Sequence, residues 1–534
     1  MPDQENKSGN LGRRDLLKSL AVLPILGGFF ISAAAKYSHD SDIRGSILEE
    51  LNVKAATPPS TGPMSGDPIR IGIIGFGIRG KQLMRALGFA TKDWMENMKA
   101  NSLENPKDTR YKDFMEQENL NVQLTGVCDA FDVRAEEALQ TAEIHGSKAK
   151  RYRNYQEMLA SPDVDAVVIA TPDHWHAPMA IDAIRAGKHV YVEKCMTHKL
   201  GETMELYDTV KNSDMVFQVG HQHRQTQSFL TARDLIRKNV LGHISLIQTN
   251  TNRNDDNGAW QYEIHEKANL QTIDWAGFLG NAPEIPFNKE HFFRWRKWWA
   301  YGTGLSGDLL THDYDRINCL LEMGIPKSVM ASGGIYTHRD GRNVPDVFQV
   351  VMEYPDYVSG TSQQEGKEKG MTFVYSATLG NQYHRTSVLM GHDASLEIGN
   401  TVTVYVEPRS TRYKDMIEEN IISPGTPMYS YNPSAKGVDA VTGATAKYFA
   451  DKGLLYTYRD GKRVDSTMLH MREWLSGIRN GTKVSCGIEE GFQEAISAHM
   501  ATLSYRTGRR IEWDPVNRQI VGVDEEMINN TGMA

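Results

Sequence analysis

Residues 69–80 read Ile-Arg-Ile-Gly-Ile-Ile-Gly-Phe-Gly-Ile-Arg-Gly, and this stretch decides the fold. Its first half is a short apolar run rich in β-branched residues, the pattern of a buried strand. Its second half has the spacing G-x-G-x-x-G, with Gly75, Gly77 and Gly80 as the glycines, and a helical pattern follows from Lys81. A strand entering and a helix leaving are the context that makes this spacing a dinucleotide-binding fingerprint. The first glycine permits the tight turn, the second lets backbone approach a pyrophosphate, and the third allows close helix–strand packing. The helix N-terminus offers N–H groups and the positive end of its dipole to phosphate. Gly75, Gly77, Ile78, Arg79 and Gly80 are therefore candidate cofactor-binding residues.

Outward from this stretch, strand and helix patterns alternate to about residue 240. The second strand, 122–129, ends in Asp129. A carboxylate there binds adenosine ribose hydroxyls and repels a 2′-phosphate, which favours NAD. Arg134 nearby keeps NADP open. The acid commonly lies about 20 residues beyond the fingerprint. Here the charged, helix-prone residues 91–119 intervene and read as an insertion. The alternative for Asp129 is a helix N-cap. Strand 164–170 runs into Thr171-Pro172-Asp173-His174-Trp175-His176. Strand 189–192 ends in Glu193-Lys194-Cys195, and strand 216–219 in Gly220-His221-Gln222-His223-Arg224. Ligands of a parallel sheet sit at the carboxyl ends of its strands, so these polar groups form a rim. Thr171, Pro172, Glu193 and Lys194 join the cofactor candidates.

Composition bounds the rest. The chain has 534 residues, with 59 Lys plus Arg against 67 Asp plus Glu and a net charge of −8. That length predicts several domains. Hydrophobic residues at 40% and charged residues at 24% are ordinary for a globular protein and exclude disordered, collagen-like and multi-span membrane classes. Nucleic-acid binding needs a Lys/Arg surplus that is absent here. Four cysteines do not make a disulfide scaffold. Arg13-Arg14, then Leu16-Leu17-Lys18, an apolar stretch over 19–35 and the small residues Ala33-Ala34-Ala35 look like a twin-arginine export signal. The expected location is periplasmic or otherwise exported, with no membrane span left after cleavage. The expected organisation is a signal over 1–35, an arm over 36–67, a Rossmann domain over 68–222, a second domain over 223–515 and a tail over 516–534.

The fingerprint, the Thr171-Pro172-x-x-x-His176 turn and the strand ending in Glu193-Lys194 together resemble the Gfo/Idh/MocA oxidoreductase family. Its further motif, Asp-x-x-x-His after a glycine-rich turn, matches Asp308 and His312 behind residues 302–307. The resemblance covers roughly residues 69–515. It implies an α/β fold: an N-terminal Rossmann domain plus a C-terminal α+β domain with a large, open, mainly antiparallel sheet, assembled as a dimer or tetramer. It implies that Lys194, Asp308 and His312 are catalytic and that His176 lies near the nicotinamide. An imidazole pKa suits proton removal, so His312 is the first choice for general base, with Asp308 orienting it or binding a neighbouring hydroxyl. The family's proline after Glu-Lys is Cys195 here. A cis bond before a residue other than proline costs about 3–4 kcal/mol, so the turn is expected to be trans and locally altered, or strained.

His174, His223 and Arg224 at the strand ends, with Arg253, Trp295, Arg296 and Trp299, are the candidate substrate contacts, because aromatic faces stack on sugar C–H surfaces and polar groups bind hydroxyls. No metal is expected: neither His174-x-His176 nor His221-x-His223 has flanking ligands at metal-site spacing. In the second domain, strands are expected at 244–251, 329–336, 346–353, 372–378 and 386–390. Residues 410–445 read as a loop insertion. The function expected is hydride transfer at a hydroxyl of a sugar, polyol or glycoside with a tightly held nicotinamide cofactor. The alternatives are a redox-neutral, NAD-dependent glycoside hydrolase and a non-catalytic Rossmann-type binding protein.

Overall fold

The computed structural model describes residues 61–358, 370–399, 401–431, 456–459 and 462–531. The twin-arginine segment, most of the 36–67 arm and residues 432–455 lie outside the described residues.

The N-terminal sheet contains β1 (Ile69–Ile74), β2 (Val122–Cys128), β3 (Lys150–Arg151), β4 (Ala166–Ile169), β5 (His189–Val192) and β6 (Phe217–Val219). It is parallel throughout, in the order β3-β2-β1-β4-β5-β6. The strand order reverses at β1 and β4, so the crevice beyond their carboxyl ends is where a dinucleotide fits. Every residue of β4 is buried, as expected of a central parallel strand covered on both faces. Helix α1 (Ile78–Ala86) follows the fingerprint. The insertion forms α2 (Lys92–Glu104) and α3 (Arg110–Met115), and α4 (His176–Arg185) leaves the Thr-Pro turn.

The second half builds a ten-stranded sheet. Its strands are β7 (Ile244–Asn252), β8 (Ser328–Gly334), β9 (Val347–Tyr354), β10 (Met371–Thr378), β11 (Ser387–Gly391), β12 (Ala394–Ile398), β13 (Val402–Val406) and β14 (Pro427–Tyr431); after a separate hairpin of β15 (Tyr456–Arg459) and β16 (Lys462–Asp465) come β17 (Ile511–Asp514) and β18 (Gln519–Val521). The order is β14-β13-β12-β11-β7-β10-β9-β8-β17-β18. Only β7 and β10 pair parallel; the other neighbours are antiparallel. Strand β10 alternates strictly, with Met371, Phe373, Tyr375 and Ala377 turned inward. One face is thus buried and the other is not. Helices α5 (Thr311–Leu321), α6 (Ser466–Asn480) and α7 (Ile488–Thr507) complete the frame used below. Tyr314, Ile317, Ile496 and Met500 of α5 and α7 share one buried cluster with Phe348, Val350 and Phe373 of the sheet.

All five expected strands of the second domain form, but three expectations for this region change. Residues 410–445 are not one loop, since they contain a short helix (Lys414–Glu418) and edge strand β14. The expected tail supplies β18. Most consequential is α6, which does not pack with the second sheet. Its Met468, Met471, Trp474 and Leu475 are buried with Ile71, Ile73, Leu83 and Tyr191 in the Rossmann core. The described end of the arm runs beside it: the Gly62 N–H donates to Ser476 Oγ at 3.1 Å, and Arg479 donates to the Asp67 carbonyl at 2.8 Å. No helix among the described residues is long and apolar enough to cross a membrane.

Candidate active site

A cavity of about 1670 Å³ runs along the carboxyl ends of β1, β2, β4 and β5 and continues to Asp308, Leu309 and His312 at the start of α5. At one end is the fingerprint. Gly75 has φ +91°, a conformation that favours glycine. A Cβ at Gly80 would stand 2.1 Å from the Gly75 carbonyl oxygen. A Cβ at Gly77 meets nothing closer than Arg134 at 3.5 Å, so the second glycine faces open cavity. The first turn of α1 has no acidic residue and no side-chain cap. An open helix N-terminus of this kind suits a pyrophosphate. These features fit a dinucleotide. Asp129 lines the cavity from the end of β2, where its carboxylate accepts the Phe76 N–H at 2.6 Å and the Phe131 N–H at 2.8 Å. It is not a helix N-cap, since the next helix begins at Asp132 with Phe131 in that place. Arg134 lies near the Phe131, Phe292 and Phe293 rings, with 5.3 Å to the last.

At the other end, Lys194 just past β5, Asp308 in the π-helical turn Ser306–Leu310 and His312 in the first turn of α5 come together. Lys194 Nζ donates to Asp308 Oδ1 at 2.8 Å and to the Asp308 carbonyl at 2.6 Å. Arg296 Nε also donates to Oδ1, at 3.0 Å, and the Trp260 indole N–H donates to Oδ2 at 3.1 Å. Burial acts to raise the Asp308 pKa, but Lys194, Arg296 and Arg253 outweigh it and hold the carboxyl far below its ordinary range. Asp308 therefore anchors Lys194. His312 is pushed well below the ordinary imidazole value by burial first and then by Lys194, His221 and His223. It is a neutral imidazole at neutral pH.

Replacing Asp308 by Asn is expected to destabilise the fold by about 3–5 kcal/mol, because it leaves buried cations without their anion. Denaturant unfolding measures this directly.

The remaining candidates divide. Ile78, Arg79, Thr171, Pro172, His176 and Glu193 line the cavity, as do Arg253, Trp295 and Arg296. Arg79 Nε donates to Glu193 Oε1 at 2.8 Å, so these two tie α1 to the end of β5. His176 lies 2.7 Å from the Cys195 carbonyl and 2.9 Å from that of Thr171, bridging two strand ends. His174, His223, Arg224 and Trp299 do not line this cavity. His174 Nε2 lies 2.9 Å from the Phe278 carbonyl, and burial lowers its pKa to about 3. His223 and Arg224 turn inward to Asp315. Trp299 lies beneath Arg506, whose guanidinium is 5.1 Å from its ring. For His174, His223 and Arg224 the interior claims a side chain that its strand-end position had assigned to the rim.

The Lys194–Cys195 peptide is cis, against the expectation of a trans turn. The Cys195 carbonyl meets His176, and its buried thiol donates to the Thr197 carbonyl. All four cysteines are free. The histidines also gather more closely than their spacing indicated: one ring nitrogen from each of His221, His223 and His312 lies within 4.8 Å of the others. Sequence reasoning missed Trp260, whose positive φ of +64° brings its indole to Asp308, and Tyr262, whose ring lies 5.9 Å from the Arg296 guanidinium. Both lie in an irregular segment with no periodicity to announce them.

A Rossmann domain joined to an open-sheet domain, with a dinucleotide cradle leading to a Lys–Asp–His cluster, defines a two-domain dinucleotide-dependent oxidoreductase. Residues 69–221 match the model of an oxidoreductase family with an NAD-binding Rossmann fold, and residues 233–513 match its C-terminal alpha/beta domain. The chain belongs to the Gfo/Idh/MocA oxidoreductase family. It is 27% identical over 281 residues to levoglucosan dehydrogenase of Pseudarthrobacter phenanthrenivorans, covering 47% of this chain and 65% of that one. It is 28% identical over 170 residues to alpha-N-acetylgalactosaminidase of Shewanella oneidensis, covering 28% of this chain and 35% of that one. The alignments thus span less than two thirds of either relative. Among solved structures, levoglucosan dehydrogenase in complex with NADH and L-sorbose has the same fold, with TM-score 0.55 at 17% identity over 84% of this chain and 99% of that one. A dehydrogenase from Bordetella pertussis in complex with NADH and UDP-GlcNAcA does so with TM-score 0.53 at 16% identity, over 84% and 99%.

Proposed function

We propose that this protein is an exported oxidoreductase acting on a hydroxyl of a sugar, polyol or glycoside, with an NAD cofactor held through export. The observation that carries this reading is the convergence of Lys194, Asp308 and His312 on the cavity that also holds the fingerprint. Bound NAD would accept a hydride from the carbinol carbon of the substrate. Lys194 has three N–H donors, of which two go to Asp308, leaving one for the reacting oxygen. His312, neutral at the cavity wall, takes the hydroxyl proton at a ring nitrogen. Trp295 and Arg296, stacked at 4.1 Å, offer an apolar face and hydrogen-bond donors of the kind a sugar ring binds. The sugar substrates named for the relatives support the same class.

An exported enzyme has no free nicotinamide pool outside the cytoplasm, so the cofactor is reset in place by a second substrate, by a redox partner or by a redox-neutral cycle. The similarity to alpha-N-acetylgalactosaminidase favours a second reading, in which transient oxidation leads to cleavage of a glycosidic bond. A purely non-catalytic role leaves the Lys194–Asp308–His312 cluster without a purpose.

One experiment separates these. The mature protein is purified without added cofactor, part is denatured to identify released nucleotide, and nicotinamide absorbance is followed while sugars and glycosides are titrated. Bound NAD reduced by a free sugar and reset by a keto-sugar is the expected result. Aglycone release without net reduction selects the second reading. Absence of any bound or bindable nucleotide overturns both.

A further inference from the structure

Behind His312, on the side away from the cavity, lies a buried polar cluster that hydride transfer as described does not use. His221 follows β6, and its Nε2 bonds Glu494 Oε2 of α7. Its Nδ1 is 3.8 Å from Asp315 Oδ2 of α5. Asp315 is otherwise engaged: Arg224 Nε donates to it at 2.8 Å, and His223 Nε2 lies 2.8 Å from its Oδ2. The His221 and His312 rings meet edge to face with centroids 5.6 Å apart. Among the described residues, His221 Nδ1 and Glu494 Oε1 are buried without a hydrogen-bond partner. Neither residue lines the cavity, so His312 stands between them and the substrate space.

We propose that His221 and Glu494 form a proton relay behind His312, taking up the substrate's hydroxyl proton through that residue. The proposal rests on the hydride-transfer reading above. As the hydride leaves the carbinol carbon with its electron pair, one ring nitrogen of His312 accepts the hydroxyl proton. The proton on its other ring nitrogen passes to His221 Nδ1. The substrate has then lost one hydride and one proton, His312 is neutral as before, and the proton resides on the His221–Glu494 pair. One ring nitrogen from each of the three histidines lies within 4.8 Å of the others, a reach covered by a direct hydrogen bond of roughly 3 Å or by one bridging water.

Local electrostatics support the direction of transfer. Burial opposes charge on His221, but Glu494 and Asp315 outweigh it, with Arg224 acting against them, so its pKa is raised. Burial raises Glu494; His221 and, more distantly, Lys194 offset this in part, and Asp315 adds to it. His223 is held at about 3 by burial and stays neutral. Cys486, also facing the cluster, is pushed up by burial and stays a thiol. A proton leaving His312 therefore finds one favourable holder nearby.

The test uses Glu494→Gln, with Glu494→Asp as the conservative variant, in the full-length protein. The pair must be unprotonated to accept, so oxidation in wild type falls as pH drops through its raised pKa, whereas carbonyl reduction falls as pH rises through it. Removing the Glu494 charge is expected to slow single-turnover nicotinamide reduction about tenfold or more at neutral pH and to move its acid limb down by about one pH unit or more, with half-saturating substrate unchanged and Glu494→Asp partly restored. A readout independent of turnover is histidine-labelled NMR of the wild type without substrate: one buried imidazole titrates above the usual histidine value, and in Glu494→Gln it no longer does. Unchanged pH limbs in a variant that still reduces nicotinamide overturn the relay, as does the absence of that imidazole in wild type. So does a stoichiometric copurified metal that is lost on His223→Ala, because the ring nitrogens would then be ligands. If wild type itself reduces no nicotinamide, the hydride-transfer reading fails and the NMR result still judges the pair.

Discussion

Replacing Lys194 by methionine is expected to leave the nucleotide in place and to slow nicotinamide reduction by at least ~10³-fold. Methionine fills much of the same buried volume at the end of β5 and brings no donor. The loss has two parts. The reacting oxygen loses its charge-assisted donor, and Asp308, which faced Lys194 at 2.8 Å, is left to Arg296 and Trp260. Cofactor binding is expected to survive, because the fingerprint glycines and the start of α1 lie at the other end of the cavity. Bound-nucleotide content and single-turnover absorbance, measured on the same preparation, separate the two effects. A rate within tenfold of wild type would remove Lys194 from the catalytic assignment.

The second large effect is expected from Gly80→Ala. The added Cβ would sit 2.1 Å from the Gly75 carbonyl oxygen, and 3.1 Å from its carbon, so backbone must move. That backbone is fastened on its other side, where the Gly75 N–H donates to the Cys128 carbonyl at 2.9 Å. The start of α1 must tilt away, carrying with it the uncapped N–H groups offered to a pyrophosphate. Overpacking of this kind costs about 1–3 kcal/mol in the fold. The cofactor loses more, since its recognition depends on that turn, and affinity is expected to fall about 100-fold or more, equivalent to ~2.7 kcal/mol. The matched control is Gly201→Ala, where a Cβ meets nothing within 4 Å. Purified Gly80→Ala protein that retains stoichiometric nucleotide would show that the fingerprint is not the binding element.

The Rossmann half was legible because its signals are local. A buried parallel strand is a continuous apolar run, and a fingerprint is twelve consecutive residues. The carboxyl-end rule then located Lys194, Thr171 and His176 at the cavity without any contact being known. The second sheet was legible where short segments are rich in β-branched and aromatic residues, as in β7, β9, β10 and β11. Strands β12, β13 and β14 were not expected; they are short runs of five residues set close together between turns. Helix α6 is amphipathic, but amphipathicity does not say which core it covers. That its Trp474 packs on Tyr191 of the Rossmann sheet, with ring centroids 5.8 Å apart, is a fact of chain return.

By itself the sequence determined the fold class, the cofactor cradle and the residue types brought to the chemistry, because strand and helix periodicity, glycine at special backbone positions and motif order act over short stretches of chain. Only the tertiary structure decided what each polar side chain faces. Asp308 turned out to hold Lys194, His223 and Arg224 turned in to Asp315, and Trp260 arrived at the site from an irregular segment. These choices are made by burial and by partners far away in sequence: Arg224 meets Asp315 across 91 residues and His221 meets Glu494 across 273. A buried charge or imidazole requires a partner, and which partner it finds is set by how the elements pack.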